Sequence, residues 1–192
     1  MRPETFERAC RISRTHREAL QWLYDIVSDM PAPVIVCEIG SWAGGSAIVL
    51  AEAVLDAGGG MVFCVENFSK TDGKEGPHTV PDDVREQFNT NTRDYPQIML
   101  LDEGSPAAAE SIPDGCLALL FVDGAHDAAS VETDLGAFVP KVGADGIICG
   151  HDYIGEPDGV AATVNRFLGF APQQLEGDLW IVHKTALDHG KS

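Results

Sequence analysis

The sequence predicts an α/β protein built on a doubly wound, mainly parallel β-sheet. Short apolar, β-rich segments alternate with helical segments, and most of the strand-like segments run into polar residues or glycine. Such alternation favours parallel strands joined by helical crossovers. The length of 192 residues, with 44% hydrophobic and 22% charged residues, suits one globular domain. We therefore expect a single domain over residues 1–192, with a short helical region over about 1–30.

The first part of the chain predicts two helices and two strands. Apolar residues at steps of three and four between His16 and Val27 indicate an amphipathic helix, which Pro31 and Pro33 end. The next elements are a strand over 34–38, a helix over 47–55 and a strand over 61–66. Residues 67–79 are polar and contain glycine without periodicity, so they predict a surface loop and a candidate lid.

The second part of the chain continues the alternation. It predicts strands over 97–101, 117–122 and 146–149, a loop over 140–146, and helices that begin near Ala128 and Val160. The tail predicts a hairpin that turns at residues 176–178. Its last strand would run antiparallel to the others, because a tight turn reverses the chain.

Charge and composition disfavour several classes of partner. Thirty acidic residues against 13 basic ones give a net charge of −17, which repels a nucleic-acid backbone. No apolar signal core is present at the start, and the longest apolar run is too short to span a membrane, so we expect a cytoplasmic protein without a membrane partner. Four arginines recur at helical spacing and predict a solvated helix face rather than an anion site: Arg8, Arg11, Arg14 and Arg17.

Polar residues gather where five of the predicted strands end. In doubly wound sheets ligands bind beyond the carboxyl ends of the strands, because the loops diverge there and helix N-termini point at the cleft. Five polar strand ends along one edge predict a binding site at that edge. The pairs are Glu38/Gly40, Glu66/Asn67, Asp102/Ser105, Asp123/His126 and His151/Asp152.

The turn after the first strand has the pattern ExGxxxGxS, from Glu38 to Ser46. Glycine at positions 40 and 44 allows a tight turn that lies against a ligand. A dinucleotide fingerprint would need glycine where Trp42 stands, which weakens a nicotinamide interpretation. Glu66 ends the second strand 26 residues after Gly40, where a carboxylate can accept hydrogen bonds from ribose hydroxyls. A purely structural turn is the alternative.

Two acids and two histidines follow the fourth and fifth strands. Because adjacent strands lie ~4.8 Å apart, the carboxylates of Asp123 and Asp152 can face one another across a cation. Oxygen ligands suit Mg²⁺ or Mn²⁺, and His151 as a third ligand would favour Mn²⁺, Fe²⁺ or Zn²⁺. His126 is placed to take a proton from a substrate hydroxyl. The alternatives are a capping Asp152 and a surface or capping His126.

Together these segments resemble class I S-adenosylmethionine-dependent methyltransferases, and more narrowly the small-molecule O-methyltransferases that include macrolide and cephalosporin tailoring enzymes. The resemblance rests on VCEIGSWAGGS, VFCVEN, LFVDGAHDAASVETDL, GIICGHDY and LWIVHK. It implies a Rossmann-like sheet of seven strands with the last antiparallel, and S-adenosylmethionine as cofactor. It also implies a cofactor site formed by Glu38, Gly40, Trp42, Gly44, Ser46, Glu66, Asn67, Ser105 and Asp123.

The resemblance also bears on the reaction. Sugar-modifying relatives carry histidine where this chain has His126, so the resemblance favours a hydroxyl of a sugar-containing natural product as acceptor. A phenol would use the same residues and stays an alternative. His126 and Asp123 would be catalytic, and Asp123, His151 and Asp152 would hold Mg²⁺ or Mn²⁺, although His151 departs from the acidic or amide residue of metal-binding relatives. A homo-oligomer could supply a missing wall of the acceptor site. The alternatives are a non-catalytic cofactor-binding partner and a nicotinamide-dependent oxidoreductase.

Overall fold

A seven-stranded β-sheet forms the centre of the structure, a computed structural model that describes residues 1–68, 83–154 and 159–189. The strands are β1 (Val34–Ile39), β2 (Gly60–Val65), β3 (Ile98–Leu101), β4 (Leu117–Val122), β5 (Val142–Gly150), β6 (Gln173–Leu175) and β7 (Leu179–His183). Their order across the sheet is β3-β2-β1-β4-β5-β7-β6. Strands β1 to β5 are parallel, and β7 runs antiparallel to both of its neighbours. The predicted fold class, with its antiparallel last strand, is confirmed.

Helices cover both faces of the sheet. They are α1 (Pro3–Ile12), α2 (Arg17–Ser28), α3 (Gly45–Asp56), α4 (Val84–Thr92), α5 (Ser105–Glu110), α6 (Ala128–Phe138), α7 (Val160–Leu168) and α8 (Lys184–His189). Side chains alternate between the faces along each strand. Val36 and Leu119 pack with residues of α2 and α3, whereas Cys37 and Leu120 pack with residues of α6. This burial on both faces explains why the central strands read as almost unbroken apolar runs.

Strand β5 begins earlier than the sequence predicts. The stretch over 140–146 was expected to be a loop, but β5 already pairs with β4 at Val142. The register then shifts between the Leu117 and Leu119 pairs, so β5 contains a bulge. A Cβ at Gly146 would lie 2.5 Å from Cγ1 of Val142, so glycine is needed in this bulge. The glycines that suggested a loop therefore belong to an irregular strand.

The four regularly spaced arginines do not form one helix face, and that expectation was wrong. Helix α1 ends at Ile12 and α2 begins at Arg17, so Arg14 lies in the connection between them. Arg8 donates to the backbone oxygen of Asn91 at 3.1 Å, and Arg17 donates to Glu7 at 2.7 Å. The regular spacing of the arginines continues across the connection between two helices. Spacing in the sequence therefore does not show where the first helix ends.

Two expectations from the sequence are not tested by the structure. Most of the candidate lid over 67–79 lies outside the described residues, and its role stays a prediction. The single-domain boundary over 1–192 also stays a prediction. Within the described ranges, no helix is both long enough and apolar enough to cross a membrane.

Candidate active site

The turn after β1 lies directly against the end of β4. Gly40 has a φ of +87°, and a Cβ at this position would lie 2.2 Å from the backbone oxygen of Asp123. Gly44 also has a φ of +87°, and its Cβ would lie 2.7 Å from Cγ2 of Thr92. Both glycines therefore meet a structural need. A role in cofactor binding is compatible with that need and remains a prediction.

Glu66 links the turn after β1 to the chain that follows β2. Its Oε2 accepts a hydrogen bond from the backbone N–H of Trp42 at 3.1 Å, and its Oε1 accepts one from Phe68 at 2.9 Å. A carboxylate has about four acceptor sites, so both oxygens can still accept hydroxyl groups of a ligand. Trp42 itself has a left-handed φ of +46°, and the Arg14 guanidinium lies 3.7 Å from the centre of its ring. Glu66 and Trp42, predicted separately, are thus brought together.

Glu38 lies beneath this turn and is fully buried. Burial raises the pKa of Glu38 to about 7, although the hydroxyls of Ser41 and Ser46 act in the opposite direction. The Cys64 thiol donates to its Oε2 at 3.7 Å, and its Oε1 has no hydrogen-bond partner among the described residues. Glu38 therefore belongs to the floor of the site rather than to its open surface.

The predicted acids and histidines at the ends of β4 and β5 form one contact network. Nδ1 of His151 lies 3.2 Å from Oδ2 of Asp152 and 3.5 Å from Oδ1 of Asp123. Nε2 of His126 lies 3.0 Å from the same Asp152 oxygen. The short distance between parallel strands thus brings together the residues for which sequence analysis predicted a shared cleft. Asp152 has a left-handed φ of +55°.

The charges of this network stabilise one another. Burial alone would lower the pKa of His151, but the Asp123 and Asp152 carboxylates outweigh it and raise the pKa to about 10. For Asp152, burial raises the pKa, but contacts with His126 and His151 outweigh it and hold the pKa well below its usual range. The hydrogen bond with Asp152 also raises the pKa of His126. The pair of carboxylates is therefore compensated by imidazole groups.

Three of these side chains have the geometry of a cation site. One ligand atom from each of Asp123, His126 and Asp152 lies within 4.8 Å of the other two. Two carboxylate oxygens and one imidazole nitrogen form a donor set that fits Mn²⁺, Fe²⁺ or Zn²⁺, and the two oxygens alone fit Mg²⁺. His151, which was predicted as a ligand, is not in this group. Its nitrogens contact the two carboxylates on one side and His16 on the other, and a ligand role stays a prediction.

Among the predicted cofactor-site residues, the family resemblance places Ser105 and Asn67 beside the adenine. The Ser105 hydroxyl, at the start of α5, donates to Oδ1 of Asp134 in α6. Asp134 is buried, and this burial raises its pKa to about 6. Asn67 is exposed directly after Glu66. Their assignment to the adenine side remains a prediction.

Sequence analysis missed two residues of this region, Thr15 and His16. The Thr15 hydroxyl donates to Oδ2 of Asp123 at 2.8 Å, and Nδ1 of His16 lies 3.2 Å from Nε2 of His151. Thr15 lies in a polar stretch without a motif, and His16 was predicted only as the start of the amphipathic helix. Local sequence therefore gave no signal for contacts that join residues more than 100 positions apart.

The strand order and the polar carboxyl edge define a methyltransferase-type α/β fold, and comparison with known proteins agrees. A family model described as a methyltransferase domain matches residues 37–153, more than half of the chain. The chain therefore belongs to this family and is an S-adenosylmethionine-dependent methyltransferase. The resemblance inferred from its motifs is confirmed, and the nicotinamide alternative is removed. No curated protein matches the sequence significantly.

Solved structures share the fold at low sequence identity. A Corynebacterium glutamicum protein is 12% identical, with a TM-score of 0.70 over 95% of this chain and 90% of that chain. The O-methyltransferase NovP is 21% identical, with a TM-score of 0.68 over 88% of this chain and 80% of its own. A SAM-dependent O-methyltransferase from Thermotoga maritima is 14% identical, with a TM-score of 0.59 over 87% and 54%. At these identities the similarity is one of fold.

Proposed function

We propose that this methyltransferase transfers the methyl group of S-adenosylmethionine to a hydroxyl group of a small molecule, either a sugar-containing natural product or a phenol. The observation that carries the proposal is the group of Asp123, His126 and Asp152 beside the turn after β1. Methyl transfer to oxygen is an in-line displacement, which requires alignment of the two reactants and removal of the hydroxyl proton. An imidazole held by a carboxylate suits the second requirement.

In this proposal the cofactor lies along the edge formed by the turn after β1 and the end of β2. Glu66 accepts the ribose hydroxyls through its remaining lone pairs, while its bonds to Trp42 and Phe68 hold the carboxylate in place. Asp123 lies near the sulfonium, whose positive charge a carboxylate stabilises. This arrangement leaves the side of the cleft near His126 for the acceptor.

The proposed acceptor side combines polar and apolar surface. A small pocket is lined by His126, Asp152, Ile154, Gly159 and Val160. Ile154 is half-exposed and Val160 is nearly buried, so both offer apolar contact next to the imidazole. Such a wall suits an acceptor whose reacting hydroxyl stands on an apolar part of the molecule.

His126 is the proposed general base. Its Nε2 lies 3.0 Å from Asp152, and both residues line the small pocket. A neutral imidazole has one unprotonated nitrogen, so His126 cannot be a metal ligand and a base at the same time. We assign it the base role and assign the cation, Mg²⁺ or Mn²⁺, to Asp123 and Asp152. When bound there, a cation would supply electrostatic stabilisation of the developing oxyanion.

One comparison tests the reaction and the role of His126. Formation of S-adenosylhomocysteine is measured with a panel of phenolic and sugar acceptors, for the wild type, for His126→Ala and for the exposed-histidine control His183→Ala. We expect His126→Ala to lower the rate by about 10²–10⁴-fold, the usual contribution of a general base. The control should retain the wild-type rate.

Two further readouts separate the alternatives. Because His126 contacts Asp152, His126→Ala should weaken Mn²⁺ binding by about 10–100-fold even if His126 is only a base, whereas undetectable Mn²⁺ binding would identify it as a ligand. Full turnover in EDTA would remove the cation from the proposal. Cofactor binding without turnover of any acceptor in the panel would contradict the proposed acceptor class. A wild-type rate in His126→Ala would contradict the base assignment.

A further inference from the structure

Four residues that connect α1 to α2 cross the edge of the sheet where the proposed site lies. This 13–16 connector precedes the region that the methyltransferase family model matches. Each of its residues contacts a different part of the site. Ser13 packs on Gly45, Arg14 stacks on Trp42, Thr15 donates to Asp123 and His16 contacts His151. The connector is therefore packed against the site rather than loosely tethered beside it.

Thr15 is the buried member of this connector. Its neighbours Arg14 and His16 are exposed, whereas Thr15 is only 6% exposed. Its backbone N–H donates to Oγ of Ser13 at 3.1 Å, which fixes the local turn. A threonine near a helix start often caps the helix, but the N-cap of α2 is His16, and no side chain caps that end. The Thr15 hydroxyl is instead directed to Asp123.

The backbone of Asp123 is already fixed, so its side-chain torsions decide where the carboxylate points. Asp123 N–H donates to the backbone oxygen of Ile39 at 2.8 Å, and Gly40 packs against its carbonyl group. On the side chain, Thr15 contacts Oδ2 at 2.8 Å, closer than the 3.5 Å between His151 Nδ1 and Oδ1. Of these two groups, the Thr15 hydroxyl therefore lies closer to the Asp123 carboxylate than the His151 ring does.

We propose that Thr15 is a positioning residue that sets the orientation of the Asp123 carboxylate for the divalent cation. The inference rests on the cation assigned to Asp123 and Asp152 under the proposed function. A hydrogen bond to a metal-binding carboxylate holds it in the ligating orientation, and loss of such a partner typically costs about 10–100-fold in metal affinity. Thr15 does not touch the cation or the reactants in this proposal.

The test measures Mn²⁺ binding to the full chain by electron paramagnetic resonance of the free ion. Thr15→Val removes the hydroxyl and keeps the shape, Thr15→Ser keeps the hydroxyl, and Thr133→Val is the matched control. Thr133 is exposed on α6, and its hydroxyl donates to the backbone of Ala129. We expect Thr15→Val to weaken Mn²⁺ binding by about 10–100-fold, and Thr15→Ser and Thr133→Val to remain near the wild type. Titration with S-adenosylhomocysteine, run in parallel, reports the cofactor site.

The possible results separate failure of this inference from failure of the proposed function. Wild-type Mn²⁺ affinity in Thr15→Val overturns the positioning role and leaves the cation assignment intact. Equal losses in Thr15→Val and Thr15→Ser also overturn it, because the retained hydroxyl would then have no effect. If the wild type binds S-adenosylhomocysteine but no Mn²⁺, both the cation assignment and the positioning role are wrong. If the wild type binds no S-adenosylhomocysteine, the proposed cofactor site is wrong.

Discussion

Glu66 illustrates how one side chain can serve both structure and ligand binding. Its two oxygens hold the backbone of Trp42 and Phe68, and each oxygen retains acceptor capacity. Sequence analysis treated a structural turn and a ribose contact as alternatives for this region. The contacts show that they are compatible, because a carboxylate that is held in place by two amides is also preorganised for two hydroxyls.

Asp134 gives a pH-dependent prediction for stability. Burial raises its pKa from 3.8 to about 6, so the folded chain retains a proton that the unfolded chain has already lost between these values. The stability that Asp134 contributes is therefore present below about pH 4 and is lost as the pH rises through about 6, by roughly 3 kcal/mol in total. Asp134→Asn should lack this loss.

Urea unfolding at several pH values between 4 and 7 measures this effect as the difference between the wild type and Asp134→Asn. Asp94→Asn is a suitable control, because its side chain is 79% exposed. A stability difference that does not change with pH would show that Asp134 titrates normally in the folded protein.

At the scale of elements, the closest approach in the site joins the turn after β1 to the end of β4. Gly40 permits this approach in two ways, through its left-handed φ of +87° and through the absence of a Cβ. Gly40→Ala would combine backbone strain with a clash against backbone atoms of Asp123. Each effect costs about 1–3 kcal/mol, so we expect a loss of at least about 2 kcal/mol in unfolding free energy.

Chemical denaturation of Gly40→Ala, beside Gly136→Ala, measures this loss. Gly136 lies within α6, and nothing stands within 4 Å of the position that its Cβ would take. Alanine there should stabilise the protein by about 0.5–1 kcal/mol. Equal stability of Gly40→Ala and the wild type would mean that the turn can move away from β4.

The ends of elements explain which parts of the site could be predicted. Apolar runs stop sharply at Glu66 and Asp123, and parallel strands must place these ends on one edge, so sequence predicted their proximity. The contact of Thr15 with Asp123 spans 108 positions and follows no repeat, so no local pattern could predict it. The early start of β5 was missed because bulge glycines resemble loop glycines.

At the scale of the whole molecule, the fold brings acidic groups together in a chain that is already strongly acidic. The net charge of −17 favours cationic partners and opposes anionic ones. The Asp123 and Asp152 carboxylates add to this field inside the cleft, where imidazole groups offset them. A sulfonium cofactor and a divalent cation both suit such a cleft electrostatically.

In the proposed function, a methyl donor and a divalent cation bind next to each other at the carboxyl ends of β1, β2, β4 and β5. Anomalous diffraction at the manganese edge, from crystals grown with S-adenosylhomocysteine and Mn²⁺, would locate both ligands in one experiment. We predict a manganese peak bound by Asp123 and Asp152, with the ribose hydroxyls of the cofactor on Glu66. A fully occupied cofactor with no manganese between these carboxylates, or a cofactor bound away from Glu66, would contradict it.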